Sequence, residues 1–368
     1  MKKERLKMLR DLDIVLFLAI IIATIFGLVV LKSATLSMSN SARIMKAQTV
    51  ATLLGFAVLI VLTLIEYRIW KHFYIPIYAL CIVLLAATLI KGSGASIGSQ
   101  SWLKIGPIRF QPSEFVKVGL IISLSAYIEN HYENINKPLV LLKVLVFAFL
   151  PVALILMQPD AGTAMVYIFF IIIMLFVSGI NWKYIISAVV AGVAMLPIIW
   201  VFLNTYQKNR ILDFINPAEN ATSSSYQFIE GRIAIGSGKL TGKGLYQGTQ
   251  TQYNFIPEKQ NDFIFPVLVE ELGFIGGFSL IFLYGIILFR MYKISTESAD
   301  VFGSLMVVGF AAMFLFHIWE NIGMTLGVMP ITGIPLPFIS SGGTFQLINL
   351  AILGLVLSVS LHKNQRYY

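Results

Sequence analysis

Four places along the chain hold ionisable residues inside or beside long apolar runs, where a buried charge costs at least about 2.5 kcal/mol and needs a partner or a task. Glu114 and Lys117 stand three apart in Gln111-Pro112-Ser113-Glu114-Phe115-Val116-Lys117. On a helix both face the same way and can pair. The pair either neutralises two buried charges or lines a cavity and sets its field, and Ser113 can cap the helix. Asp262 directly precedes Phe263-Ile264-Phe265-Pro266, where a long polar segment enters an apolar run. A carboxylate there serves either as a helix N-cap, favoured by the helix dipole, or as a general base. Glu270 and Glu271 lie deeper in the same run, and at about 100° per residue the three acids cannot all point into one site. Asp160, in Gln158-Pro159-Asp160-Ala161-Gly162, suits a turn or cap between two runs. His317 and Glu320 share a helix face beside Asn321 and bond to each other or to a neighbour.

Soluble-enzyme motifs are absent. The glycine-rich stretch 236–244 does not fit the register of a phosphate loop. There is no His-Glu-x-x-His pair, no Gly-x-Ser-x-Gly elbow, and four scattered histidines make no zinc site. The single cysteine, Cys81, excludes an intrachain disulfide.

The elements that must hold these residues are membrane helices. Of 368 residues 57% are hydrophobic and 12% charged, against about 25% charge in a soluble domain. Apolar runs fall near 14–32, 47–65, 73–90, 113–130, 139–157, 162–179, 184–203, 263–289, 301–326 and 343–361. Each is about the length that crosses a bilayer as a helix. The fold class is therefore an all-α polytopic membrane protein of about ten transmembrane helices, in one domain over 1–368. The run at 14–32 is too long for a signal-peptide core and is a retained span. The net charge of +9 sits in short clusters between runs, as membrane anchors do, so nucleic acid is not a partner and membrane lipids are. With the termini on one side, that side carries fourteen Lys and Arg in its short segments against six on the other, which makes both termini cytoplasmic. The segment 204–262 is then a large extracytoplasmic loop between helices 7 and 8, ordered on the membrane face. The region 91–110, with Trp102, lies at the interface, and the Pro- and Gly-rich 327–343 is re-entrant or interfacial.

Several strings, in order along nearly the whole chain, resemble the SEDS family of bacterial cell-wall polymerases. They are Ser101-Trp102-Leu103, Phe110-Gln111-Pro112-Ser113-Glu114, Gln158-Pro159-Asp160, Arg210-Ile211-Leu212, Ala234-Ile235-Gly236-Ser237-Gly238, Gly242-Lys243-Gly244-Leu245, Asn261-Asp262-Phe263, and Thr332-Gly333-Ile334-Pro335-Leu336-Pro337-Phe338 with Ser340-Ser341-Gly342-Gly343. The last is more similar to the elongation branch, RodA, than to the division branch, FtsW. Departures are Glu230-Gly231 for Gln-Ser, Lys239 for Gly, Ala161 for Leu and Ser341 for Tyr.

The resemblance implies a peptidoglycan glycosyltransferase of the bacterial plasma membrane that polymerises lipid II outside the cell during elongation and shape maintenance. It implies that Asp262 is the essential carboxylate and that Glu114 and Lys117 are the family's ion pair. Trp102, Arg109, Glu114, Lys117, Asp160, Arg210, Lys243 and Ser340 are the substrate-binding or cavity-lining candidates. Arg109, Lys117, Arg210 or Lys243, or a divalent cation (Mg or Mn) held with Asp262, would meet the leaving diphosphate. The implied partner is a class B penicillin-binding protein, since no transpeptidase motif is present here. Small residues Gly303, Ser304, Gly309, Gly323 and Gly327 offer it close helix contact. The rival readings are a flippase for a lipid-linked precursor and a non-catalytic scaffold for a transpeptidase.

Overall fold

The computed structural model describes residues 12–92, 101–105, 108–202, 205–215 and 223–364. Ten long helices fall on the ten apolar runs: α1 Ile14–Thr35, α2 Ser41–Leu64, α3 Tyr74–Lys91, α4 Pro112–Asn130, α5 Pro138–Leu156, α6 Ala161–Val177, α7 Trp182–Phe202, α8 Ile264–Thr296, α9 Val301–Leu326 and α10 Gly343–His362. Seven of them, α1, α2, α3, α5, α8, α9 and α10, are long and apolar enough to cross a membrane; α6 and the Trp182–Met195 part of α7 are apolar but shorter. The protein is an all-α polytopic membrane protein. A short antiparallel hairpin, β1 Leu103–Ile105 with β2 Ile108–Phe110, precedes α4. The basic N-terminal residues 1–11 lie outside the described residues, as does most of the 91–110 region ahead of the hairpin.

Helix starts follow from capping chemistry. Asp13 accepts the Leu16 N–H at 2.9 Å, Asp160 the Thr163 N–H at 3.1 Å and Asp300 the Gly303 N–H at 2.7 Å. Ser113 does not cap α4: the N-cap is Gln111, with no side-chain bond. Ser113 already lies at the second helical position, past the cap, and its hydroxyl is buried without a partner.

Ion pairs stitch the end of the bundle nearest the termini. Arg290 grips Asp13 at 2.5 Å, Arg68 meets Asp300 at 2.8 Å, Lys71 meets Glu129 at 2.6 Å and Lys363 meets Glu297 at 2.7 Å. These tie α1 to α8, the α2–α3 turn to α9, that turn to α4, and α8 to α10. Of the seven spans just named, α9 and α10 are the most enclosed, and α10 lies along α2. Four of the small residues in and after α9 meet neighbours within this chain. Gly303 faces Tyr67, Gly309 faces Ile121 and Met174, Gly323 faces Met329, and Gly327 faces Phe228. The sequence pattern reads close helix approach correctly but cannot say that this chain already fills it.

The segment between α7 and α8 carries three helices, Thr205–Ile215, Ser223–Ser237 and Thr249–Gln252. Its glycine-rich stretch is inserted into α8, which is broken at Gly273 (φ 68°, ψ −167°). The N–H groups of Phe274 and Ile275 donate to the carbonyls of Lys239 and Leu240 at 2.9 and 3.1 Å. In return the carbonyls of Glu270 and Glu271 accept the N–H groups of Lys243 and Gly244, both at 3.0 Å. Four backbone groups on the two sides of the break thus find protein partners, as irregular backbone at membrane depth requires. Lys239, one of the departures from the resemblance, sits at φ 49°, in the left-handed region that favours the glycine it replaces.

Gly273 occupies backbone space closed to other residues, and an added Cβ would collide with Leu240 and Gly242. Gly273→Ala is expected to cost about 2–3 kcal/mol, whereas Gly285→Ala, with open space around it, should stay within about 0.5 kcal/mol. Thermal unfolding of the two purified variants in detergent checks this; equal melting temperatures would contradict it.

Candidate active site

Asp262 stands two residues before α8, one before its N-cap, and does not cap it. The N-cap is Phe263, with no side-chain cap bond. The capping reading therefore fails, because the backbone at Asp262 is held from other directions. Its carbonyl accepts Asn321 Nδ2 at 2.9 Å, and the same nitrogen donates to the Ile334 carbonyl at 2.7 Å. Ser340 Oγ donates to the Asn261 carbonyl at 2.7 Å and accepts the Leu336 N–H at 2.8 Å. The Ser341 N–H reaches the Gln260 carbonyl at 2.8 Å. The Phe263 ring is fully buried and packs against Gly231. The apolar Pro- and Gly-rich connection 327–342 thus folds over the acid. Gly333, at φ 79°, comes so close that an added Cβ would stand 3.2 Å from Asp262 Oδ2.

The half-buried Asp262 carboxyl is pushed up to about 7, first by desolvation and then by the Glu258 charge, against the opposing pull of Arg210. A carboxylate titrating near neutrality is matched to general-base work.

A buried chain of hydrogen bonds joins α4 to α9. Lys117 Nζ donates to Glu114 Oε1 at 2.8 Å and to His317 Nε2 at 3.0 Å. His317 Nδ1 is 3.2 Å from the Pro335 carbonyl. A carbonyl only accepts, so Nδ1 carries the proton and Nε2 takes the Lys117 bond, which makes the imidazole neutral. The ion pair read from the spacing is present, and α9 adds a third member.

The other candidates are placed as follows. Asp160 caps α6 and accepts Gln111 Nε2 at 3.0 Å, joining α6 to the start of α4. Arg210, on the Thr205–Ile215 helix, is close enough for its charge to act on Asp262. Lys243 Nζ is engaged with Glu270 Oε1 at 2.8 Å, in a cage completed by Thr249, Gln250 and Thr251. Trp102 is 39% exposed beside the hairpin. Arg109 pairs with Lys104 across the hairpin, and its side chain lies outside the described residues. Glu271 turns away from Asp262 to Ser33 and Gln252, at 2.6 and 3.2 Å, as the angular argument requires. Sequence reasoning missed Gly333 and Asn321 as neighbours of the acid. The density of Pro and Gly at 327–343 was the available signal.

Residues 13–365 match the model of the FtsW/RodA/SpoVE cell cycle protein family. The chain belongs to this family. It is 36% identical over 84% of its length, and 84% of the relative's, to peptidoglycan glycosyltransferase MrdB of Escherichia coli. It is 32% identical to stage V sporulation protein E of Bacillus subtilis, covering 95% of this chain and 96% of that one. Among solved structures, one described as showing structural coordination of polymerization and crosslinking by a peptidoglycan synthase complex superposes with a TM-score of 0.83. It is 29% identical and covers 96% of this chain and 99% of that chain. Thermus thermophilus rod shape determining protein RodA gives 0.73 at 28% identity, covering 96% and 98%. Family membership and fold agree with the arrangement built from side chains.

Because Lys117 and Glu114 are both enclosed, removing one leaves the other stranded. Lys117→Met alone should destabilise by about 3–5 kcal/mol, and Lys117→Met with Glu114→Gln by clearly less. A double-mutant cycle on thermal unfolding measures the coupling, and its absence would dissolve the pair.

Proposed function

We propose that this protein is a peptidoglycan glycosyltransferase of the bacterial plasma membrane. It polymerises lipid II into glycan strands during elongation and shape maintenance, with Asp262 as general base. The observation that carries the mechanism is a half-buried carboxyl raised to about 7, held by its backbone beneath the α9–α10 connection. The names and titles of the relatives support the reaction class. The distribution of Lys and Arg supports cytoplasmic termini, which puts Asp262 on the outer face with the 204–262 segment.

Ionised Asp262 takes the proton of a sugar 4-hydroxyl. The oxygen then attacks C1 of the partner sugar from the face opposite its diphosphate, so an α-linked donor becomes a β-linked product. Positive charge for the departing diphosphate comes from Arg210, whose field already reaches the acid. Among the described residues no three His, Cys, Asp or Glu converge to hold a metal. A Mg or Mn ion, if held there, would have Asp262 as a protein ligand and would supply charge stabilisation for the departing diphosphate.

Asp262→Ala and Asp262→Asn are each expected to lower polymer formation from purified lipid II at least about 100-fold, while folding and membrane insertion persist. Near-normal polymer from Asp262→Asn would refute the base assignment. Translocation of lipid II without polymerisation by the wild-type protein would favour the flippase reading instead. The sign of the pH dependence follows from the raised carboxyl. The active form is ionised, so kcat/KM should fall about tenfold per pH unit below about 7 and level off above it; a flat profile from pH 5 to 8 would count against it.

The partner is a class B penicillin-binding protein, supported by the neighbour described as a complex coordinating polymerization and crosslinking. Co-purification from detergent should recover the pair, and polymer yield should rise when it is present. Equal yields with and without the partner would sink the activation.

A further inference from the structure

The polar patch on α9 takes no part in the chemistry above, yet it is enclosed: His317 is 2% exposed, Glu320 and Asn321 0%. Buried polar groups are costly unless bonded, so the partners they choose are informative. All three reach the four-residue stretch 332–335 of the α9–α10 connection, each at a different residue. The Thr332 hydroxyl donates to Glu320 Oε1. Asn321 Nδ2 donates to the Ile334 carbonyl, and His317 Nδ1 to the Pro335 carbonyl. Gly333 stands between the first two anchors, against Asp262 Oδ2. Asn321 closes the ring by holding the Asp262 carbonyl as well. The connection has no regular secondary structure over 330–336, so these side chains supply the register that a helix or sheet would otherwise impose.

We infer that His317 and Glu320 are positioning residues for Asp262. They clamp Thr332 and Pro335 onto α9 so that Gly333 covers the carboxylate, and the Glu114–Lys117 pair is the far anchor of the clamp through His317. The inference rests on Asp262 being the base. Its logic is geometric: Glu320 acts as an acceptor for Thr332, and displacing a catalytic group by about 1 Å can cost on the order of 100-fold in rate. The clamp also gives the intramembrane ion pair a task that charge neutralisation alone does not require, since it joins α4 to the loop over the acid.

The test uses the full chain with its transpeptidase partner and lipid II, comparing Glu320→Leu, Glu320→Gln, Thr332→Val, His317→Leu and the Glu320→Leu/Thr332→Val double variant, with Asp262→Ala alongside. Glu320→Leu, Thr332→Val and His317→Leu are each expected to lower kcat about tenfold, with KM within about twofold of wild type. The double variant should be no slower than either of its singles, because both remove one bond. Glu320→Gln should recover kcat to within about threefold, its amide oxygen accepting the same hydroxyl. Losses that multiply in the double variant, or a Gln variant as slow as the Leu variant, would overturn the clamp. Where Glu320→Leu does not fold, Thr332→Val and Glu320→Gln decide, and wild-type kcat in Thr332→Val overturns it. Activity in Asp262→Ala would instead overturn the base assignment, so the two failures are distinguishable.

Discussion

In an apolar slab, a polar group without an internal partner has no water to fall back on, and this constraint accounts for most of what is irregular in the structure. At the break in α8 around Gly273, the glycine-rich stretch inserted there bonds two donors and two acceptors of the helix backbone. Glu270, at the edge of the break, accepts from Lys243, Thr249, Gln250 and Thr251. Glu271 is likewise occupied by Ser33 and Gln252. Lys117 is matched by Glu114 on one side and a neutral imidazole on the other.

The backbone of the site obeys the same rule, and the Asp262 carboxyl is treated differently. Around Asp262 the backbone is bonded from both flanks while the carboxyl itself is left in a desolvated place beside an acid and a base of opposite effect. Rigid attachment combined with an uncomfortable charge is what a group needs if it is to bind a proton reversibly near neutral pH. The α9–α10 connection, poor in regular structure but rich in side-chain anchors, supplies that attachment without burying the acid completely.

The ten helices were legible because hydropathy and length leave little choice in a bilayer. The Glu114–Lys117 pair was legible because a spacing of three on a helix leaves little choice either. Asp262 was legible as a residue of interest, though not in its actual setting. Its position before α8 favoured a cap, and only the long-range bonds from Asn321 and Ser340, 59 and 79 residues away, show why it is not one. The glycines of α9 illustrate a similar limit. Small residues announce a close approach, but whether the approaching surface belongs to the same chain is decided by tertiary packing.

The insertion of the 239–244 backbone into α8 bears on how the chain enters the membrane. The half of α8 that carries Glu270 and Glu271 would be a poor span by itself, holding two carboxylates and four unsatisfied backbone groups. Its complement lies about thirty residues earlier, so during synthesis that segment has already emerged when α8 arrives. The order of the elements along the chain lets the ribosome deliver the patch before the tear, and a circular permutation that reversed this order would present the insertion machinery with a broken helix and nothing to mend it.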